Sequence, residues 1–220
     1  MNILALGAHP DDIEFGCGAT LLKFARAGHR VFLYIATNGE LGGDRNVRKQ
    51  EQIEAAEFIG AEKVFWGEFP DCDLPLSRHL ITKIENVIKE VTPDFIFVHY
   101  KEDTHQDHRT LSTTTLSATR YVPNVLFYEG PSTLNFKPSV YVDVEDILND
   151  KKQLLEKHAS QIQRVHPELP EISIIDLAFS SARFRGIQAR KKIAEAFDSV
   201  RLFIDIPKQY DPAQSLPRSR

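Results

Sequence analysis

The sequence predicts an α/β fold built on a mostly parallel sheet, and three observations carry that expectation. Short apolar runs alternate with helix-patterned stretches over the first 120 residues, as successive strand–helix–strand units require. Two of those runs, Ile3-Leu4-Ala5-Leu6 and Phe95-Ile96-Phe97-Val98, are continuously apolar, the pattern of strands buried on both faces. Each is followed shortly by a cluster of histidine and aspartate, and in open α/β sheets chemistry gathers just beyond the carboxyl ends of the strands.

Each element has its own justification. Gly7 and Pro10 break the first strand, leaving His9-Pro10-Asp11-Asp12 in a loop. Gly16-Cys17-Gly18 then leads into a helix predicted over about Ala19 to Ala27, with Leu21, Phe24 and Ala25 as its apolar face and Gly28 placed to end it. Arg30 to Ala36 is β-branched and aromatic and reads as the second strand. Thr37 to Gly43 is too glycine-rich to be regular, and a helix follows from about Asp44 to Ile59, closed by Gly60. Lys63 to Trp66 reads as a third strand and Phe69 to Pro75 as a loop.

From Ser77, the apolar residues Leu80, Ile81, Ile84, Val87, Ile88 and Val91 recur at helical spacing until Pro93 stops them. After the Phe95–Val98 strand, His105-Gln106-Asp107-His108 opens a helix running to about Tyr121. Val125 to Tyr128 and Val140 to Val142 are late strands. Ile147, Leu148, Leu154, Leu155 and Ile162 fit a helix whose apolar stripe also carries His158. Ile175, Phe179, Ala182, Gly186, Ala189, Ile193 and Phe197 predict a last long helix, or two in succession, from Ile172 to Phe197. With no repeat and no linker, residues 1–207 read as one domain, and 208–220 as an irregular, proline-bearing tail.

Composition excludes several classes. A 220-residue chain with 42% hydrophobic side chains has enough apolar material for one full core. A net charge of −4 gives no electrostatic case for nucleic acid or an anionic membrane. No apolar run approaches the roughly 20 residues of a transmembrane helix, and the start lacks the form of a signal peptide. Two cysteines, Cys17 and Cys72, make no disulfide framework. The expectation is a cytoplasmic protein. Gly7, Gly16 and Gly18 miss the G-x-G-x-x-G spacing, so a dinucleotide site is not expected.

The two clusters point to a metal. Adjacent Asp11 and Asp12 repel one another, and in a partly buried loop each also loses hydration. A divalent cation removes both penalties, and one carboxylate can be left over as a base. One His-Pro-Asp-Asp alone would read equally well as a turn with an Asp helix cap. Two clusters, each beyond a buried strand, select the metal site. Two histidines and a carboxylate also serve non-haem iron oxygenases, but the α/β pattern tells against those.

The same residues carry a resemblance. His9-Pro10-Asp11-Asp12 after a first strand, with His105-x-Asp107-His108 opening a later helix, is similar to the LmbE/PIG-L family of metal-dependent N-acetylglucosaminyl deacetylases, including the bacillithiol- and mycothiol-pathway type. It continues through Thr37-x-Gly39-Glu40-x-Gly42, Arg48-x-x-Glu51, Asp71, His158-x-Ser160-Gln161 and Arg185-Gly186. The resemblance implies a Rossmann-like fold, His9, Asp12 and His108 as ligands of one zinc, iron or manganese ion, and Asp11 as the general base. It implies His105 as the group that stabilises the oxyanion or protonates the leaving amine, and Asp107 as the partner that orients a histidine. Arg48, Asp71 and Glu40 are the implied substrate contacts, and a trimer or hexamer is the implied assembly. The chemistry is coherent, since three protein ligands leave a position open for water. Gln106 replaces a common proline, and Ala189 and Ile193 stand where glycine and tyrosine are frequent.

The expected function is therefore zinc-dependent removal of acetyl from an N-acetylglucosamine conjugate. The alternatives are an amidase for another N-acyl or thiol-conjugate substrate, and a non-catalytic metal- or nucleotide-binding module. Asp11 argues against the last, because binding alone needs no unligated carboxylate. Bland readings are preferred elsewhere: Cys17 as small-residue packing and the basic residues from Arg183 to Lys192 as a solvated helix face, while His158 reads from its stripe alone as a core histidine and, with the resemblance, stays a second-tier functional candidate. Arg48 has the alternative of an exposed i, i+3 pair with Glu51.

Overall fold

The computed structural model describes residues 1–162 and 172–204. Seven strands form one sheet in the order β3-β2-β1-β4-β5-β7-β6. They are β1 Asn2–Gly7, β2 Arg30–Thr37, β3 Lys63–Phe69, β4 Phe95–His99, β5 Asn124–Tyr128, β6 Val140–Asp143 and β7 Ala194–Arg201. The first five run parallel, whereas β7 is antiparallel to both β5 and β6. The chain winds outward from β1 in both directions, so the gap beyond β1 and β4 is the switch point where such sheets place their ligands. Both clusters lie there.

The helices are α1 Asp12–Arg26, α2 Arg45–Ile59, α3 Arg78–Val91, α4 Gln106–Ala118, α5 Leu148–Glu156 and α6 Ile174–Gln188. Alternate residues of each strand serve opposite faces of the sheet. Ile3, Ala5, Leu33 and Phe97 pack with Ile13, Leu21, Ile59 and Leu154 of α1, α2 and α5. Leu4, Leu6, Tyr34 and Val98 pack with Leu80, Ile84 and Leu111 of α3 and α4. Continuous apolar strands are the result, because neither face meets water. Ser77 caps α3, accepting from Leu80 N at 3.3 Å, and Gly60 closes α2 at φ 81°.

Three expectations are corrected. Helix α1 begins at Asp12, seven residues before the predicted start. Gly16 and Gly18 lie inside it as points of close approach, where a Cβ would run into the Tyr128 ring and Leu154. The stripe at Ile147 to Ile162 is a short 3-10 turn at Glu145–Ile147 followed by α5, so His158 and Ile162 fall beyond the helix. The last long helix stops at Gln188. Gly186 lies against the Lys192 carbonyl, Arg190 adopts φ 58°, and Lys191 donates its N–H to Gly186 O, so the chain reverses. Ile193 is buried beside the turn, and Phe197 lies in β7. Arg190, Lys191 and Lys192 are accordingly a turn and not a helix face. The tail expected at 208–220 lies outside the described residues. Cys17 is wholly buried, and burial holds its thiol well above the ordinary range, as packing requires.

Candidate active site

A cavity of about 360 Å³ opens above β1 and β4, at the lower end of the roughly 300–1,000 Å³ usual for small-molecule sites. His9, Asp11, Asp12, Arg48, Asp71, His105 and His108 line it together with Cys72. Residues nearly 100 positions apart meet because β1 and β4 are hydrogen-bonded neighbours.

Asp12 sits at the centre. Its two oxygens lie 3.3 Å from His9 Nδ1 and 3.3 Å from His108 Nε2, one oxygen to each ring. The His9 backbone N–H also donates to Asp12 Oδ2 at 2.7 Å. Burial opposes ionisation of Asp12, but His108 and His99 outweigh it and hold the carboxyl well below its ordinary range. Burial likewise disfavours charge on His108, while Asp12 and Asp103 bring it up to about 9.

The neighbouring carboxylate is differently placed. Asp11 is the N-cap of α1 but makes no side-chain cap bond, and its backbone is left-handed at φ 93°. The Asp11 side chain lines the cavity, with Oδ2 3.5 Å from Arg48 Nη2. Burial pushes the carboxyl up to about 6, against the pull of Arg48.

His105 caps α4 with its ring, since Nδ1 accepts the Asp107 N–H at 3.2 Å. In the neutral ring the proton is therefore on Nε2, and burial together with His9 and His108 lowers the imidazole's pKa. Asp107 is fully buried. Its Oδ2 lies 3.3 Å from His9 Nε2, and it also accepts N–H bonds from Cys72 and Leu74, so the histidine it orients is His9.

Two residues were missed from sequence. Asp103 Oδ2 lies 3.3 Å from His108 Nδ1 and does for His108 what Asp107 does for His9. Its Oδ1 accepts from His105 N and Ser132 Oγ. His99 stacks on His108 with ring centroids 3.9 Å apart, and its Nε2 lies 3.1 Å from both Ala8 N and Asp12 Oδ2. Burial, with the nearby charge of His108, lowers His99 to about 4. The signal was present: His99 ends a strand at the switch point, and Asp103 lies two residues before His105.

The expected substrate contacts fare unevenly. Asp71 lines the cavity, but its Oδ1 lies 3.1 Å from His9 Nε2 and its Oδ2 accepts the Leu41 N–H at 2.9 Å. Glu40 is exposed and braces the Asp71 loop by accepting the Asp71 N–H at 3.0 Å, and it is not among the residues lining the cavity. Arg48 is 5% exposed, so the surface pair with Glu51 does not form. Its guanidinium donates to Gly39 O at 2.8 Å and Pro10 O at 2.7 Å. Glu51 instead accepts from Ser160 N and Oγ.

The donor set fits a divalent metal. Ring nitrogens of His9, His105 and His108 lie within 4.8 Å of one another, as do donor atoms of Asp12, His99 and His108. Imidazole and carboxylate converging at a buried point are suitable zinc ligands, and the second-row partners Asp103 and Asp107 are the kind such ligands require.

Residues 4–119 match the family model PIG-L, described as GlcNAc-PI de-N-acetylase. The chain is 35% identical over 168 residues to an uncharacterized deacetylase, YaiS, of Escherichia coli strain K12, covering 72% of this chain and 91% of that protein. It is 25% identical over 211 residues to a diacetylchitobiose deacetylase of Thermococcus kodakarensis, covering 84% and 79% of the two chains. The crystal structure of the conserved protein TT1542 from Thermus thermophilus superposes with a TM-score of 0.81 at 25% identity, covering 95% of this chain and 99% of that one.

Proposed function

The chain belongs to the PIG-L family of de-N-acetylases, and from that premise we propose that it is a metal-dependent hydrolase removing acetyl from an N-acetylglucosamine-containing conjugate. The observation that carries the reading is the separation of two adjacent carboxylates. Asp12 is held between two histidines, whereas Asp11 is uncapped and faces the cavity.

His9, Asp12 and His108 would hold the divalent ion, zinc by donor type, which when bound supplies Lewis acidity toward a water and the amide carbonyl. Asp11 takes the proton that the water gives up as its oxygen bonds to the carbonyl carbon. The Nε2–H of His105 donates to the carbonyl oxygen as that oxygen gains charge. When the C–N bond breaks, the electron pair goes to nitrogen, the proton that Asp11 took from the water is passed on to that nitrogen while His105 keeps its Nε2–H on the oxygen, and the amine and acetate leave. Asp107 and Asp103 keep His9 and His108 in register throughout.

The test combines metal analysis with a deacetylation screen over N-acetylglucosamine conjugates, diacetylchitobiose and the free sugar. One divalent ion per chain and turnover of a conjugate in preference to the free sugar are expected. Groups beyond the ring add binding energy that can be used at the scissile amide. A protein that releases no acetate from any of these while holding its metal would overturn the reading.

A further inference from the structure

Asp11 holds φ 93°, a conformation that strains a non-glycine residue and persists only where surroundings enforce it. The enforcing groups are visible. The peptide joining Pro10 to Asp11 is gripped at both ends. Its carbonyl oxygen accepts from Arg48 Nη2 at 2.7 Å, and its N–H donates to Gln52 Oε1 at 3.3 Å. Arg48 and Gln52 are four residues apart on α2, the spacing that places two side chains on one helix face.

Each arm is itself fixed. Arg48 Nη1 is anchored on Gly39 O, and its guanidinium lies so close beneath Gly39 that a Cβ there would overlap it. Gly39 meets this with φ 64°, a conformation glycine takes without strain. Gln52 is fully buried, and its Nε2 donates to Glu14 Oε1 at 2.7 Å, which leaves its carbonyl oxygen to face Asp11. The other oxygen of Glu14 lies 3.4 Å from His158 Nε2, with both side chains at most 1% exposed. His158 thus backs the chain Glu14–Gln52–Asp11.

We infer that Arg48 and Gln52 are positioning residues that clamp the Pro10–Asp11 peptide and so aim the Asp11 carboxylate into the cavity, with Glu14 and His158 setting the Gln52 amide. The inference rests on the deacetylase reading for its kinetics, but not for its geometry. It assigns Arg48 to turnover and not to holding the substrate.

The experiment is a double-mutant cycle on the metal-loaded enzyme. Gln52→Met keeps the volume and removes both hydrogen bonds, and Arg48→Lys keeps the charge but loses the fork. Each should lower kcat by about 10- to 100-fold, as a misaimed catalytic group does. KM and metal content should stay within about twofold of wild type. In an Asp11→Asn background either change should cost less than about threefold more, because both act through the same carboxylate. Additive losses, a loss carried by KM, or unchanged kcat would each overturn the clamp. If Gln52→Met does not fold, Arg48→Lys reads the same peptide from its other end. A crystal structure of either variant supplies the readout that needs no turnover. Departure of Asp11 from its left-handed φ supports the clamp even if wild type cleaves no acetylated sugar, and a retained φ counts against it.

Discussion

Replacing Asp12 or either flanking histidine should empty the site, whereas Asp11→Asn should leave it loaded. His9→Ala, His108→Ala and Asp12→Ala are expected to lose the metal, measured on dialysed protein by elemental analysis. Asp11→Asn should keep it and lose about 10²–10⁴-fold in turnover, the usual contribution of a positioned base. Equal metal loss in Asp11→Asn would remove the distinction between the two carboxylates. Asp103→Asn and Asp107→Asn belong to an intermediate class, with metal affinity weakened about 10–100-fold in a competition titration. Most of the sequence-named residues that the structure brings together around the cavity sit in two compact clusters. His99 and Asp103 escaped because each lies a few positions outside them. Glu40 falls outside the cavity lining for another reason: the Asp71 N–H it accepts is set by a tertiary contact across 31 residues.

At the scale of elements, α5 and β7 share a buried ion pair, braced on the backbone of α1, that no segment announces. Glu195 of β7 accepts from the N–H groups of Ala19 and Thr20 midway along α1, while Lys151 of α5 donates to Phe15 O and pairs with Glu195. Both charged side chains are at most 3% exposed. Lys151→Met or Glu195→Gln alone leaves a buried group without its partner and should cost about 3–5 kcal/mol in denaturant unfolding. The double variant should recover part of that loss, and a double variant as unstable as the sum of both would contradict the pairing. The same contact explains why this region was hard to read. Ala194-Glu195-Ala196 is helix-forming in isolation, and it becomes a strand only because a slot between β5 and β6 receives it. Helix α3, by contrast, was legible in full, since its period, cap and stop all lie in local sequence.

For the molecule as a whole, a cation held in the proposed site would offset the carboxylates of Asp11, Asp12, Asp71, Asp103 and Asp107 and so tie stability to its binding. A ligand that binds only the folded state stabilises it by about 4 kcal/mol at a thousandfold excess over its Kd. Chelation should therefore lower Tm by about 8–16 °C for a chain of this size, with recovery on returning one equivalent of metal. An unshifted Tm in a protein shown to have lost its metal would mean that the carboxylates are balanced by the histidines alone. Among the described residues no helix is long and apolar enough to cross a membrane. The central strands were readable because burial on both faces leaves an unmistakable composition, and β6 showed in its β-branched residues at Val140–Val142, while β7 depends on pairing that no local window contains.

The tie from Gly39 through Arg48 to the Pro10–Asp11 peptide has a consequence for how such a scaffold can diversify. The cavity's outer walls come from exposed segments, with Leu41 on one side and Pro131 and Ser132 on another, while the reacting groups stand at the ends of central strands. Lineages could thus vary the side chain at Pro131 and adopt new substrates at constant speed so long as Ser132 keeps its hydrogen bond to Asp103. The wall at Leu41 is not free in the same way, because a shift of Gly39 is transmitted through two hydrogen bonds to the Pro10–Asp11 peptide that carries the proposed base. Drift on that side trades breadth of substrate against rate, and directed evolution there should recover altered selectivity mainly in variants that turn over more slowly.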